Sequence, residues 1–320
     1  MSFDAHVTAA LFERSGAAWA LGDGAVRFEG GAVVEAHDGA VLSAAVHPSG
    51  EGVVTGGDDG RLVWSRPEGA QELADVGGRW IDAVTTSAAS GLIAFSAGRE
   101  ARVLDAADPA FARTFAHERT VAGLAFDAKG RRLAAATYGG ARLWWARIAD
   151  QKPVELKWAG SHIGCAWSPD GRFLFSSMQE NALHGWRVAD GKDMRMGGYP
   201  SKVRSLAFPG KGQLLVTSGA PGAVVLPIAG PNGPMGREAA EIGFEQGRLV
   251  TQVAAAAGSG VIAAGCDDGR VWTADLASRG IRLRREPSGA PVSALAMSAN
   301  FGGRIAWGDE AGGAGVTELD

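Results

Sequence analysis

The chain has 320 residues, of which 46% are hydrophobic, so it is long enough to bury one large core or two ordinary ones. Its 31 lysines and arginines nearly balance its 35 aspartates and glutamates, and no block of like charge occurs, which excludes a nucleic-acid-binding footprint. No run of eighteen apolar residues and no secretory leader is present, so we expect a cytoplasmic protein that does not contact a membrane.

A repeat of about forty residues runs through the chain. Its marker is a turn glycine that follows one small or apolar run and precedes another. The marker falls at Gly16, Gly50, Gly91, Gly130, Gly171, Gly212, Gly260 and Gly302. Periods of this size are typical of propellers and solenoids, in which each unit buries its apolar faces against its neighbours.

The unit at residues 41–64 shows the order of elements within one repeat. An apolar run at 41–46 precedes a turn at 47–50, and two short apolar segments at 53–55 and 61–64 flank a second turn that is rich in Asp and Gly. Short alternating segments between units, such as 154–157, indicate a fourth strand. Each unit is therefore predicted to be a four-stranded antiparallel sheet.

Two stretches carry a resemblance to a known family. Residues 165–171 contain a Ser-Pro-Asp-Gly turn after a strand end, and residues 55–64 are similar to a second hairpin, both as in the WD40-repeat family. The resemblance spans nearly the whole chain. It implies an all-β fold, a closed WD40-type β-propeller of four-stranded blades, with residues 1–320 as a single domain.

The resemblance also implies a structural hydrogen-bond network of a loop His, a strand Ser or Thr, a turn Asp and a Trp. The Trp-Asp dipeptide that names the family occurs nowhere, and Trp64 stands one residue closer to Gly60 than the family spacing places it. In the fourth unit Tyr138 replaces the Asp. The positions that match the network are His37, Thr55, Asp59, Trp64, His117, Trp144 and Trp186.

Counting second hairpins predicts eight blades, and seven, the commoner number in the family, is the alternative. The hairpins fall around Gly24, Gly60, Glu100, Gly139, Asn181, Gly222, Gly269 and Gly315. The last unit, at 292–319, has three predicted strands, while residues 2–5 precede the first unit's own strand. We therefore expect the N-terminal strand to complete the last blade and close the ring, because closure removes exposed sheet edges.

The loops at one mouth of the predicted channel hold the candidate binding residues. At an inner-strand position that most units fill with valine, three units carry Asp82, His162 and Thr251. Trp and Arg are the favoured residues of binding hot spots, so a partner-binding rim is predicted there. Its members are Trp80, Asp82, Arg119, His162, Lys202 and Arg248. The alternative is that Asp82 and His162 only line a hydrated channel and that Trp80 packs between sheets.

No catalytic, metal or cofactor signature is found. The six histidines have no metal-ligand spacing, and the Asp-Asp-Gly sequences at 58–60 and 267–269 are placed by the repeat in strand turns. Cys165 and Cys266 are expected to be reduced, buried, structural thiols.

The predicted function is that of a non-catalytic scaffold that binds one or more proteins or peptides through its loop rim, as a monomer outside its complex. Two alternatives belong to other classes: a propeller hydrolase or lactonase with a metal in the central channel, and a sensor of a small ligand. The composition, rich in Ala and Gly and poor in Lys, is typical of a bacterial protein.

Overall fold

A computed structural model describes residues 1–298 and 303–319, and its regular structure consists of antiparallel strands. The predicted turn glycine Gly302 lies outside these residues. The first three sheets have four strands each. The first is β1 (Val7–Glu13), β2 (Gly16–Leu21), β3 (Ala25–Phe28) and β4 (Val33–Glu35); the second is β5 (Val41–Val46), β6 (Val53–Gly57), β7 (Arg61–Arg66) and β8 (Gly69–Asp75); the third is β9 (Val84–Ser87), β10 (Leu92–Ala97), β11 (Glu100–Asp105) and β12 (Ala112–Ala116).

The fourth sheet has six strands because two repeat units join in it. It consists of β13 (Gly123–Phe126), β14 (Arg132–Trp145), β15 (Val154–Trp167), β16 (Phe173–Met178), β17 (Ala182–Arg187) and β18 (Lys192–Met196). The first part of β14 pairs with β13 and its second part pairs with the first part of β15. The remainder of β15 pairs with β16.

The last three sheets return to the single-unit pattern. The fifth is β19 (Leu206–Ala207), β20 (Leu214–Thr217), β21 (Ala223–Pro227) and β22 (Ala240–Ile242); the sixth is β23 (Val250–Ala255), β24 (Val261–Cys266), β25 (Val271–Asp275) and β26 (Ile281–Arg285); the seventh is β27 (Val292–Ser298), β28 (Arg304–Asp309) and β29 (Ala314–Glu318). Strands follow chain order within every one of these sheets. None of the described residues belongs to a helix long and apolar enough to span a membrane.

Counted as separate hydrogen-bonded sheets, the described residues form seven blades, so the prediction of eight is wrong and its alternative of seven is supported. The difference arises where Tyr138 pairs with Ser161, because the hydrogen-bonded ladder continues there from one repeat unit into the next. The eight repeat units of the sequence therefore occupy seven sheets, and the units at 121–157 and 161–196 share the six-stranded one.

The segment before β1 pairs with the last sheet, as predicted, through a single-residue bridge. Ser2 bridges Gly313 in antiparallel fashion, and the N–H of Phe3 donates to the carbonyl oxygen of Gly312 at 2.9 Å. The Ser293 hydroxyl also donates to the carbonyl oxygen of Val7 at 2.6 Å. The first and last sheets therefore lie side by side, and the ring is closed.

One equivalent position in every repeat unit, at or near the beginning of the inner strand, is buried. The eight residues at this position are exposed by 1% or less and are Val7, Val41, Ile81, Val121, His162, Val203, Val250 and Val292. In two units the predicted position is one residue late: Ile81 and Val250, and not Asp82 and Thr251, fill the buried position. The side chains at this position therefore pack between neighbouring sheets and do not line the opening of the central channel.

Glycines on the second strands allow the inner strands to approach closely. A Cβ added to Gly56 would lie 2.3 Å from a methyl carbon of Ile81, and one added to Gly308 would lie 2.3 Å from a methyl carbon of Val7. No real Cβ contact is so short, so only glycine permits this approach at these seams.

Both cysteines are free thiols, as predicted. Cys266 is buried and Cys165 is partly buried. Burial raises the pKa of Cys165 to about 12 and that of Cys266 to about 11, so neither supplies a thiolate at neutral pH.

Candidate functional site

The loops at one end of the ring form the surface that the sequence predicted. In an antiparallel sheet, the loop before the inner strand and the turn between the second and third strands lie at the same end. We call this end the loop rim. Its main segments are residues 77–82, 117–120, 198–204 and 243–249, which precede inner strands, residues 98–99, which connect β10 and β11, and residues 138–140, at an irregularity within β14.

Three large aromatic side chains are exposed at the loop rim. Trp80 is 63% exposed, and Tyr138 and Phe244 are each 61% exposed. Trp80 therefore does not pack between sheets, which was the alternative. Of the three, sequence reasoning selected only Trp80. An aromatic residue in a short loop next to a glycine is the signal that would have found the others: Gly139 follows Tyr138, and Gly243 precedes Phe244.

The loops of the third and fourth repeat units touch one another at the rim. Arg79 forms an ion pair with Glu100 at 3.6 Å, which links the loop that carries Trp80 to the next hairpin turn. The carbonyl oxygen of Arg99, in that turn, accepts a hydrogen bond from the N–H of His117 at 2.8 Å. The loops that precede β9 and β13 therefore form one continuous surface.

A cleft of about 410 Å³ extends this surface past Arg119 and Tyr138. Arg142 lines it and lies 3.2 Å from the carboxylates of both Glu118 and Glu155. Arg119 is exposed, and within residues 1–298 and 303–319 it has no ion-pair partner. An accessible cation and an accessible aromatic ring thus line the same cleft.

The remaining rim candidates differ in how free their side chains are. Asp82 is exposed, and its carboxylate accepts a hydrogen bond from the Ser96 hydroxyl at 2.7 Å. Arg248 is exposed but lies 3.4 Å from Glu245 and 3.5 Å from Asp268. Lys202 is partly exposed and has no ion pair in the part of the chain that the structure describes.

His162 is not part of the accessible rim, which corrects its assignment as a partner-contacting residue. Its side chain is fully buried because it occupies the seam position that other units fill with valine or isoleucine. Its Nε2 donates to the carbonyl oxygen of Trp158 at 3.1 Å, and its Nδ1 accepts from the Ser176 hydroxyl at 2.7 Å. Both ring nitrogens are therefore satisfied inside the protein, and none is left for a partner.

Three of the four predicted members of the second-sheet network are joined. His37 lies 3.0 Å from Asp59 through Nδ1 and 2.8 Å from the Thr55 hydroxyl through Nε2. Trp64 is absent from this network, since its indole donates to the carbonyl oxygen of Glu51. The ladder explains why: Val63 lies opposite Thr55, and a shift of one residue turns a side chain to the other face of the strand.

The other predicted network residues are buried near histidines. The Trp144 indole donates to Nε2 of His117 at 3.1 Å, and both residues are at most 8% exposed. Trp186 is fully buried and lies edge-on to His184, with ring centroids 4.7 Å apart. These contacts stabilise sheets and place no further group at the rim.

Replacing Asp59 with Asn is expected to lower the free energy of unfolding at pH 7 by roughly 2 kcal/mol. Burial alone would raise the pKa of Asp59, but hydrogen bonds from the Arg61 backbone, His37 and the Arg61 side chain lower it to about 2. The unfolded carboxyl titrates near 4, so this stability is present above pH 4 and is lost as the pH falls towards 2. Chemical denaturation at several pH values measures it.

The matched control is Asp58→Asn, because Asp58 is the adjacent turn residue and its carboxylate has no hydrogen bond within the described residues. Equal losses in the two variants, or a loss in Asp59→Asn that persists below pH 2, would show that the network does not carry this stability.

Among residues 1–298 and 303–319, no group of three or more His, Cys, Asp or Glu side chains is placed to hold a metal ion.

A closed ring of antiparallel sheets, with a His-Thr-Asp network beside a second hairpin, defines a β-propeller built from sequence repeats. Residues 31–64, which contain that network, match the model of the WD domain, G-beta repeat (WD40). This match, together with the ring of antiparallel sheets, supports a WD40-repeat propeller family for the chain.

The solved structure of the computationally designed Ika8 protein is similar to this chain. The TM-score is 0.79, with 20% sequence identity over 99% of this chain and 98% of that chain. At this identity the similarity concerns the fold alone. No curated protein matches the chain. Because propellers host many unrelated functions, the site must supply the argument for function.

Proposed function

We propose that the protein is a non-catalytic scaffold that binds one or more proteins or peptides through its loop rim. WD40 propellers commonly serve as such scaffolds, and one observation carries the proposal for this chain. Trp80, Tyr138 and Phe244 are each more than 60% exposed on loops of the same ring end. Large aromatic side chains are enriched at protein interfaces because burying them removes much apolar surface from water.

The cations of the rim supply the polar part of the proposed interface. Arg119 is exposed beside Tyr138, and Lys202 and Arg248 lie on loops further round the ring. Asp82 adds a carboxylate near Trp80. Arg and Trp dominate binding hot spots, and charges at the edge of an interface set its register and its salt dependence. We infer that Trp80 and Arg119 are the main anchors.

The wider functional predictions extend the same proposal. We infer that residues 1–320 work as one domain, in the cytoplasm, without a cofactor, and that the protein is a monomer outside its complex. A bacterial source also stays a prediction.

Loss of the partner is expected when Trp80 and Arg119 are both changed to alanine. The truncations remove the exposed indole and the unpaired guanidinium, and hot-spot truncations each weaken binding by about 2 kcal/mol or more. Affinity purification of the tagged protein from its source, followed by mass spectrometry, would identify the partner of the unmodified chain. Pull-down with the double variant then measures the loss.

The control variant is Ile281→Ala with Arg282→Ala, which removes an exposed apolar side chain and an exposed Arg from the outer strand β26, away from the loop rim. A partner that is retained by this control and lost from the rim variant supports the proposal. A partner that the rim variant retains in full would rule out Trp80 and Arg119 as anchors.

A further inference from the structure

A second cleft lies at the opposite end of the ring, between turns of the third and fourth repeat units. Its volume is about 550 Å³. We call it the cationic cleft and define it by Ser90, Lys129, Arg131, Trp145, Arg147 and Ile148. Ser90, Lys129 and Arg131 lie in turns between first and second strands, and the other three residues lie at or just after the end of β14, so the cleft is at the end of the ring opposite the loop rim.

The charge of this cleft is of one sign. Three of its lining residues are cations, and none of its lining residues is acidic. Two carboxylates of the same repeat units are already engaged: Asp105 pairs with Arg147 at 2.5 Å, and Asp127 pairs with Arg132 at 2.8 Å. Lys129 and Arg131 are exposed and have no ion-pair partner within the described ranges. The cleft is therefore complementary to an anionic ligand.

Two apolar side chains are held in water at the same place. Trp145 is 51% exposed and Ile148 is 48% exposed. The Gln151 amide fixes the turn that carries them: its Oε1 accepts from the N–H of Trp145 at 2.8 Å, and its Nε2 donates to the carbonyl oxygens of Trp145 and Ile148. Because this turn is already ordered, binding there loses little conformational entropy.

We propose that the cationic cleft binds an acidic peptide segment that carries an apolar side chain, as a partner site separate from the loop rim. The apolar side chain covers Trp145 and Ile148, and the carboxylates face Lys129 and Arg131. A compact small ligand fits less well, because most of the lining residues are exposed and leave the cleft open, whereas small-molecule sites enclose most of their ligand. Three cations are too few for a nucleic-acid footprint on a chain of net charge −4.

Fluorescence anisotropy with a labelled peptide tests this proposal on the full chain. The probe contains several aspartates and two leucines, and the comparison peptide has asparagine at each aspartate. We expect the double variant Lys129→Glu with Arg131→Glu to weaken binding of the probe at least about tenfold. Trp145→Ala is expected to weaken it as well, and added salt should weaken binding to the unmodified chain.

The matched control is Lys211→Glu, because Lys211 is also an exposed lysine directly before a turn glycine, in another blade. It should leave the affinity unchanged, as should the rim variant Trp80→Ala with Arg119→Ala. The proposal is overturned if the asparagine peptide binds equally well, if Lys211→Glu has the same effect as the double variant, or if no binding is detected. Displacement of the labelled probe by AMP at much lower concentrations than by the unlabelled peptide would assign the cleft to nucleotides and would also overturn the proposal.

Discussion

Replacing Trp19 with alanine is expected to lower the free energy of unfolding by about 3–5 kcal/mol, the range typical of large buried aromatic residues. Trp19 is fully buried on β2 and packs in a cluster that includes Val7 of the first sheet and Ala294 and Ala306 of the last. Its indole donates to the carbonyl oxygen of Trp307 at 3.1 Å. The Trp19 side chain therefore packs between the first and last sheets and forms a hydrogen bond across them, at the place where the ring closes.

The loss should be concentrated at that seam. Hydrogen exchange is expected to accelerate in β1, β28 and β29, and at Phe3 and Ala314, whose N–H groups join the N-terminal segment to the last sheet. Trp19→Phe should be intermediate, because it keeps most of the apolar volume but leaves the carbonyl oxygen of Trp307 without its donor.

Trp80→Ala is the control, since this tryptophan is 63% exposed and its removal should change stability by less than about 0.5 kcal/mol. If Trp19→Ala were as stable as this control, the first and last sheets would be held together by backbone pairing alone. If the loss were large but exchange rose equally in all sheets, Trp19 would belong to a general core and have no special role in closure.

The sequence predicted the strands and turns well because local chemistry determines them. Gly50, Gly130 and Gly171 lie in the predicted first turns with φ of +83°, +63° and +69°, a backbone region that favours glycine. The family resemblance was confirmed in the stretch that contains His37, Thr55 and Asp59. The number of blades was not predictable in this way. It depends on whether hydrogen bonds continue past Tyr138 and Ser161, and spacing does not reveal that.

In the candidate site, too, local features could be predicted from the sequence, whereas contacts between sheets could not. Trp80 and Arg119 are exposed in loops, and loop position is readable from the repeat. The burial of His162 could not be predicted from the repeat, which correctly gives it the position of Val7 and Val41 but does not reveal that this position is buried in a seam. For Asp82 the error is different: the loops before the inner strands differ in length, and Ile81 fills the position predicted for Asp82. A shift of one residue interchanges a seam position with the residue after it. Whether a side chain at such a seam is buried depends on its contacts with the neighbouring sheet.

His162 belongs to a group of buried histidines that the repeat alone does not explain. His184, on β17, is fully buried between Trp158, at a ring distance of 4.2 Å, and Trp186, at 4.7 Å. Neither of its ring nitrogens has a hydrogen-bond partner within the described structure. Burial, together with the neighbouring His162, lowers the pKa of His184 to about 4. The protein therefore holds a neutral imidazole where a charged one would be unsolvated.

Lowering the pH from 7 to 4 is expected to destabilise the protein by about 3 kcal/mol through His184 alone. The unfolded imidazole binds its proton near pH 6.5, while the folded one does not until about pH 4, so stability is lost as the pH falls through this interval. His117 adds a similar loss, because burial and Arg142 lower its pKa to about 4 as well. Urea denaturation across this pH range measures the sum.

Replacing His184 with Leu separates the acid destabilisation that is due to His184 from the part that is due to His117. Leucine has no unsatisfied nitrogen, so the variant should be more stable than the unmodified chain at pH 7, by about 1–2 kcal/mol, and should lose about 3 kcal/mol less on acidification. His6→Leu is the control, since His6 is exposed, and it should keep the full pH dependence. If His184→Leu instead lost stability at pH 7 and retained the acid sensitivity, the imidazole would be hydrogen-bonded in solution. The packing of His184 between Trp158 and Trp186 would then depend on those hydrogen bonds and not on apolar contact alone.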